Sequence, residues 1–311
     1  MRRLAASAVA LAFLTAVACT KDTTSSGGAS PSPSTFALQV ATSDLYAGTA
    51  QRVQVGVFNQ TADGIQVLTG GAIPLSLVPA DGGQPIQGTA RYVPAPGTAV
   101  AADPTLTSPS KGRGVYQLDD VTFPSAGVWN ATLSFNDPDG QPENLTTQFG
   151  VSDKPALPAP GDKAYATKNL TMADTSVDPQ AIDSRAENGA KVPDPELHQE
   201  TIAAALAAHQ PILALFSTPV WCTSQFCGPS TDALEQLART GPKDAAYIHV
   251  EIYENHAKNE VNAAAKQWLL RNGDLTEPWL FLIGRDGKII DRWAPLFQVS
   301  QVRAELDRAA R

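Results

Sequence analysis

The sequence lacks the features that assign a chain quickly to several large classes of protein. Lysine and arginine together number 23 against 31 aspartates and glutamates, and no run of basic residues offsets the formal charge of −8. This balance disfavours nucleic acid or an anionic lipid surface as the main partner, because neither attracts an acidic chain. Hydrophobic residues make up 43% of the 311 residues, which argues against wholesale disorder and against a multi-span membrane protein.

Cysteine is scarce, and the chain contains only Cys19, Cys222 and Cys227. Whether these cysteines can form lasting disulfides depends on the compartment, which the N-terminal sequence indicates. Two arginines precede an apolar run over 4–18 that is too short for a comfortable membrane span, and small residues lead directly to Cys19. This segment resembles a bacterial lipoprotein signal peptide (1–18), which implies a lipid on Cys19 and attachment to the cell membrane. The alternative is an ordinary secretory signal. Either one predicts an extracytoplasmic protein, where disulfides persist.

The next two segments predict a tether and a β domain. Residues 19–35 are rich in Ser, Thr, Gly and Pro and cannot bury a core, so they indicate a flexible, lipid-anchored tether. From 36 to 152, short stretches such as QRVQVGVF and GVWNATLSF alternate apolar and polar residues between turn-rich pieces. This pattern predicts an all-β, immunoglobulin-like sandwich. It contains no cysteine, histidine or carboxylate cluster, so a catalytic role is not expected.

The remainder of the chain changes from a Pro-rich linker to an α/β pattern. Residues 153–193 are polar and have no clear period, which predicts an extended lead-in. From 194, a helix capped by Asp194, with Pro195 at its first position, is expected to carry His198 and His209 on the surface. Apolar runs and helical stripes then give the order α-β-α-β-α-β-β-α over 194–311.

The stretch WCTSQFCGP lies between the first apolar run, PILALF, and the next helical stripe. A second motif, TEPWLFLIGRDGKII, places Pro278 before the third strand. Together with the element order, these motifs resemble a thioredoxin-like α/β domain over 194–311, and more closely the membrane-anchored extracytoplasmic thioredoxins. The resemblance implies a cis-proline at Pro278 opposite the dithiol and a redox-active centre.

Physical chemistry suggests a role for each of these residues. A thiolate at a helix N-terminus is stabilised by unpaired backbone N–H groups and by the helix dipole. We therefore expect Cys222 to be the attacking thiol and Cys227 the resolving one. Trp221 would shield the pair, and Pro278 would present a carbonyl edge to an extended partner chain. The predicted function is thiol–disulfide exchange with cysteine-containing extracytoplasmic proteins.

The sequence departs from the family in two ways. Four residues separate the cysteines where the family has two, and the first core strand carries no buried carboxylate. Glu277, next to Pro278, would raise the pKa of the thiols if it were ionised.

Two other functions stay open. A permanent Cys222–Cys227 disulfide in a non-enzymatic binding or structural lipoprotein is one, although closing so short a loop contributes only about 2 kcal/mol. A metal held by the cysteines with His249 or His256 is the other, and structural or solvated roles explain these histidines more simply. We therefore expect no metal and no cofactor.

Overall fold

The computed structural model describes residues 35–98, 108–110, 112–137 and 139–311. The predicted signal peptide (1–18), Cys19 and the tether up to residue 34 lie outside this part of the chain. All of the described residues belong to one compact unit. Among them, no helix is both long enough and apolar enough to cross a bilayer.

The first half of the described chain forms one antiparallel sheet of nine strands. The strands are β1 (Phe36–Val40), β2 (Gln51–Thr61), β3 (Gly64–Thr69), β4 (Ala72–Pro79), β5 (Ile86–Pro94), β6 (Ser108–Ser110), β7 (Gly114–Val121), β8 (Gly127–Asn136) and β9 (Pro142–Val151). Their order is β6-β3-β2-β7-β5-β4-β8-β9, and β1 pairs with β2. The predicted alternation is visible in β8, where Trp129, Ala131 and Leu133 face the core.

The predicted immunoglobulin-like sandwich is wrong. A sandwich needs two packed sheets, whereas these strands hydrogen-bond into one continuous, nearly closed sheet. One core lies inside it, built from β2 residues such as Val55 together with Leu75, Phe123 and Trp129. Alternation along a strand shows which residues face a core, but it does not show whether that core is enclosed by two sheets or by one curved sheet.

The second half contains the remaining helices and strands. They are α1 (Ile202–Ala207), β10 (Ile212–Ser217), α2 (Cys227–Thr240), β11 (Ala246–Glu251), β12 (Tyr253–Asn255), β13 (Glu260–Val261), α3 (Ala263–Leu269), β14 (Trp279–Ile283), β15 (Ile289–Trp293) and α4 (Val299–Ala309). Four strands form a mixed sheet in the order β11-β10-β14-β15, and β12 pairs with β13. The predicted order of elements is confirmed apart from this added short pair.

The predicted helix from Asp194 is wrong in its start. Asp194 has a left-handed backbone (φ 45°), and only a short 3-10 turn, Pro195–Leu197, follows it. Helix α1 begins later, after Thr201, whose hydroxyl accepts the backbone N–H of Ala204. As a consequence, His198 is not on a helix surface.

The prediction of a separate α/β thioredoxin domain is also wrong. The structure is mostly β, with 39% strand and 19% helix, and the four-stranded sheet does not form a compact unit of its own. Arg292 on β15 extends into the nine-stranded half, where its Nη1 donates to the Asp44 carboxylate at 2.7 Å. Both side chains are only 7% exposed. The Gln54 amide donates to the Leu296 carbonyl at 2.8 Å and so adds a second buried bond between the halves. The predicted bounds of the three segments, 36–152, 153–193 and 194–311, stay predictions.

We predict that Asp44→Ala lowers the free energy of unfolding by about 3–5 kcal/mol, because the Arg292 charge stays buried without its partner. Urea denaturation followed by circular dichroism and tryptophan fluorescence measures this loss. Asp153→Ala, at an exposed aspartate, is the control and should change stability little. Both probes should report one transition. Two separate transitions, or equal losses in the two variants, would contradict an ion pair that joins the halves.

Candidate functional site

The candidate site lies at one edge of the four-stranded sheet, where three strand ends meet. Strands β10 and β11 are parallel, so their C-terminal ends, Ser217 and Glu251, are neighbours. Strand β14 runs antiparallel to β10 and therefore begins at the same edge, with Trp279 opposite Phe216. The topology thus brings the segment after β10, which carries Cys222, toward the residues that precede β14, Glu277 and Pro278.

Cys222 and Cys227 form a disulfide at this edge, with their Cα atoms 6.0 Å apart. Cys227 is the first residue of α2 and is fully buried, whereas Cys222 is partly exposed. The backbone N–H of Cys227 lies 3.4 Å from the Cys222 Sγ, and the Ser224 Oγ lies 3.2 Å from it. Hydrogen-bond donors at a helix N-terminus stabilise a thiolate. The arrangement therefore favours Cys222 as the accessible nucleophile once the disulfide is reduced.

Glu277 and Pro278 stand beside the disulfide, and the peptide bond between them is cis. The Glu277 carboxylate and the two sulfur atoms lie within 4.8 Å of one another. Burial raises the pKa of Glu277, and the negative charge of Glu251 raises it further. A carboxylate at this distance opposes a thiolate when it is ionised and can accept a proton from a thiol.

Trp221 belongs to an aromatic group at the side of the disulfide. Its ring stacks on His256, with centroids 4.5 Å apart and planes within 7°. Tyr253 meets the Trp221 ring edge-on at 5.9 Å. His256, which the sequence suggested as a metal ligand only in a less favoured alternative, therefore stacks on an aromatic ring. Within the described residues, the ligand-distance group at the cysteines contains Glu277 and neither His249 nor His256.

The nine-stranded half contributes directly to the loop between the cysteines. Arg113 donates from its Nη1 to the Gln225 carbonyl at 3.2 Å, and Gln225 has a left-handed backbone (φ 62°). Phe226 packs against a cluster that includes Val93 and Leu296. A cleft of about 990 Å³ opens here between the halves, and its lining includes Phe58, Arg113, Trp221, Phe226, Glu277 and Pro278.

A buried polar group supports the segment that leads to Cys222. The His249 Nε2 lies 3.1 Å from the Ser217 carbonyl oxygen, and the backbone N–H of Val220 donates to the Ser184 hydroxyl at 3.2 Å. Glu251 is buried beside them and accepts the backbone N–H of Ser184 at 2.8 Å. Burial raises the pKa of the Glu251 carboxyl. A buried carboxylate is therefore present near the site, on β11 rather than on β10.

Sequence reasoning missed several members of this group. His198, expected on a surface helix, is fully buried, and burial lowers its pKa. Asp183 and Arg185 come from the segment that was interpreted as an extended lead-in. Burial alone would raise the Asp183 pKa, but contacts with His198, His249 and Arg185 outweigh burial and hold it well below its usual range. The available signal was polar His249 and Glu251 on one face of an otherwise apolar strand.

The chain was compared with protein-family models, with curated proteins and with solved structures, and nothing matched in any of the three.

We predict that Glu277→Gln lowers the pKa of the Cys222 thiol in the reduced protein by about one unit, because it removes a negative charge beside the sulfur. The pH dependence of iodoacetamide labelling measures this pKa. Glu254→Gln, at an exposed glutamate on β12, serves as the control and should leave the pKa unchanged. An unchanged or higher thiol pKa in Glu277→Gln would show that Glu277 does not act on the thiolate.

Proposed function

We propose that this protein is an extracytoplasmic thiol–disulfide exchange protein, anchored to the membrane by a lipid on Cys19, that acts through Cys222 and Cys227. The observation that carries the proposal is the asymmetry of the pair. Cys222 is partly exposed beside a cleft and receives hydrogen-bond donors at the start of α2, while Cys227 is fully buried behind it. An attacking and a resolving thiol need this difference in access.

The proposed reaction has two steps. With the pair reduced, the Cys222 thiolate attacks one sulfur of a partner disulfide, forms a mixed disulfide and releases the first partner thiolate. The Cys227 thiolate then attacks the Cys222 Sγ, releases the second partner thiolate and restores the internal disulfide. Two electrons pass from this protein to its partner, and the reverse sequence oxidises a partner dithiol.

Glu277 has a role in the second step. Cys227 must lose a proton before it can attack, and it is buried where bulk water does not reach it. The Glu277 carboxylate lies within 4.8 Å of the sulfur atoms and accepts that proton in our scheme. Its raised pKa brings it closer to the pKa of a thiol, so the proton transfer is less uphill.

The cleft suggests how a partner would bind. It lies between the two halves and is lined by Trp221, Phe226 and Pro278 on one side and by Phe58 and Arg113 on the other. A cysteine-containing segment of another extracytoplasmic protein entering this cleft would come close to Cys222. In this scheme the nine-stranded half contributes to partner binding as well as to the support of the redox loop.

The second candidate function is a binding or structural lipoprotein with a permanent disulfide. One observation favours it: Glu277 beside the sulfurs penalises a thiolate when it is ionised. The cleft would then bind a partner without any exchange of electrons.

The test uses single cysteine variants of the full chain. We predict that Cys222→Ser abolishes exchange with a disulfide-containing protein substrate, because the accessible nucleophile is lost. Cys227→Ser should accumulate a mixed disulfide through Cys222, because the resolving thiol is absent. Non-reducing gel electrophoresis and mass spectrometry of the trapped species measure both outcomes.

Cys19→Ser is the matched control, because it removes a cysteine outside the site. It should leave exchange unchanged and release the protein from the membrane fraction. Trapping by Cys222→Ser instead of Cys227→Ser would reverse the assigned roles. If neither variant traps a partner and the wild type catalyses no exchange, the result supports the second candidate, a binding or structural lipoprotein with a permanent disulfide.

A further inference from the structure

A second group of ligand-type side chains lies outside the disulfide site. Asp183, His198 and His249 each offer one ligand atom, and these atoms lie within 4.8 Å of one another. All three side chains have no exposed surface. They come from three separate segments, namely the lead-in, the turn before α1 and strand β11. Two histidines and one carboxylate form a common ligand set for first-row transition metals.

One hydrogen bond fixes the tautomer of the neutral His249 ring. Its Nε2 lies 3.1 Å from the Ser217 carbonyl oxygen, which only accepts, so Nε2 carries the proton. In the neutral ring, Nδ1 is then a bare lone pair, and it points at the Asp183 Oδ2, 3.4 Å away. Two acceptors facing each other in a buried place repel unless a proton on Nδ1 or a metal ion lies between them, and the zinc titration below distinguishes the two. Metal-bound histidines characteristically donate their other N–H to a backbone carbonyl, as His249 does here.

The distances in the cluster fit a bound metal better than direct hydrogen bonds. The His198 Nε2 lies 3.4 Å from the same Asp183 oxygen, which is longer than a typical N–H···O bond. Both ring nitrogens of His198 and the Nδ1 of His249 are buried. None of these three atoms has a hydrogen-bond partner among the described residues. A tetrahedral zinc with ligands at about 2.0–2.1 Å separates neighbouring ligand atoms by about 3.3–3.4 Å.

The net formal charge of the groups around the cluster is negative, which favours binding of a divalent cation. The Arg185 Nη2 donates at 2.7 Å to the same Asp183 Oδ2 that faces the two histidines, and it lies 2.8 Å from the Asp194 Oδ2. Glu251 is buried on the same strand as His249, and its oxygens accept three backbone N–H groups. Asp183 and Asp194 together carry two negative charges against the one guanidinium, and Glu251 adds a third when it is ionised. Asp232, 3.7 Å from Arg185, is 72% exposed and therefore screened by water.

We propose that Asp183, His198 and His249 bind a divalent transition-metal ion, with zinc preferred for this ligand set. The site is separate from the disulfide chemistry and does not depend on it. Its role is to hold in place the segment that leads to Cys222. His249 bonds the Ser217 carbonyl at the start of that segment. The Ser184 hydroxyl, next to Asp183, accepts the backbone N–H of Val220 within it. Three protein ligands leave a fourth position for water or another ligand.

Zinc binding to the untagged, oxidised full chain tests the proposal. The protein is stripped with a chelator and titrated with zinc chloride against a chromophoric zinc indicator. We expect one zinc per chain, and we expect His198→Gln and His249→Gln each to lower the zinc affinity by about 100-fold or more. His209→Gln, at an exposed histidine outside the cluster, is the matched control and should keep the wild-type affinity.

Two further measurements keep the test decisive. The double variant Cys222→Ser, Cys227→Ser should bind zinc like the wild type, because the proposed ligands include no sulfur. If a histidine variant does not fold, the visible spectrum of the cobalt-loaded wild type decides, and it should show tetrahedral cobalt without thiolate-to-cobalt charge transfer. Absence of zinc uptake by the folded wild type, equal loss in His209→Gln, or loss in the double cysteine variant would each overturn the proposal.

Discussion

The buried ion pair between Arg292 and Asp44 is the interaction on which the arrangement of this molecule depends. The Arg292 guanidinium lies over the rings of Tyr46 and Trp279, at 5.4 Å and 5.1 Å, and donates to Asp44. A buried charge is costly without its partner, so neither half can bury its member of the pair alone. Trp279 directly follows Pro278, and the pair therefore also fixes the edge of the sheet where the disulfide lies.

The chemistry of the disulfide loop results from both halves. Helix α2 supplies the Cys227 N–H to the Cys222 sulfur and buries Cys227, whereas Arg113 of the nine-stranded half holds the loop at Gln225. Glu277 acts in the opposite direction, because its charge disfavours the thiolate that the helix favours. The potential of the pair is set by the balance between these effects, and the four-residue spacing between the cysteines alone does not determine it.

Local patterns in the sequence predicted local structure, and they failed where distant residues pair. Alternation located β2 and β8, and the helical stripe after the cysteines located α2, which begins at Cys227. The same alternation did not reveal the closure of the nine-stranded sheet, because curvature depends on which strands pair. Asp183 and Arg113 carry no local signal for the site, since Asp183 meets His249, and Arg113 meets Gln225, more than 60 positions away. His198 was misplaced because the capping pattern at Asp194 predicts a helix that starts there. The helix begins only after Thr201, beyond His198.

The central claim is that Cys222 and Cys227 exchange electrons with a partner, and the reduction potential of the pair tests it most directly. The full chain with Cys19→Ser is equilibrated in thiol redox buffers, alkylated and read by mass. Our account predicts a potential above about −270 mV, in the range of working oxidoreductases. A value well below about −300 mV would contradict it, because such a disulfide resists reduction and serves as a structural bridge.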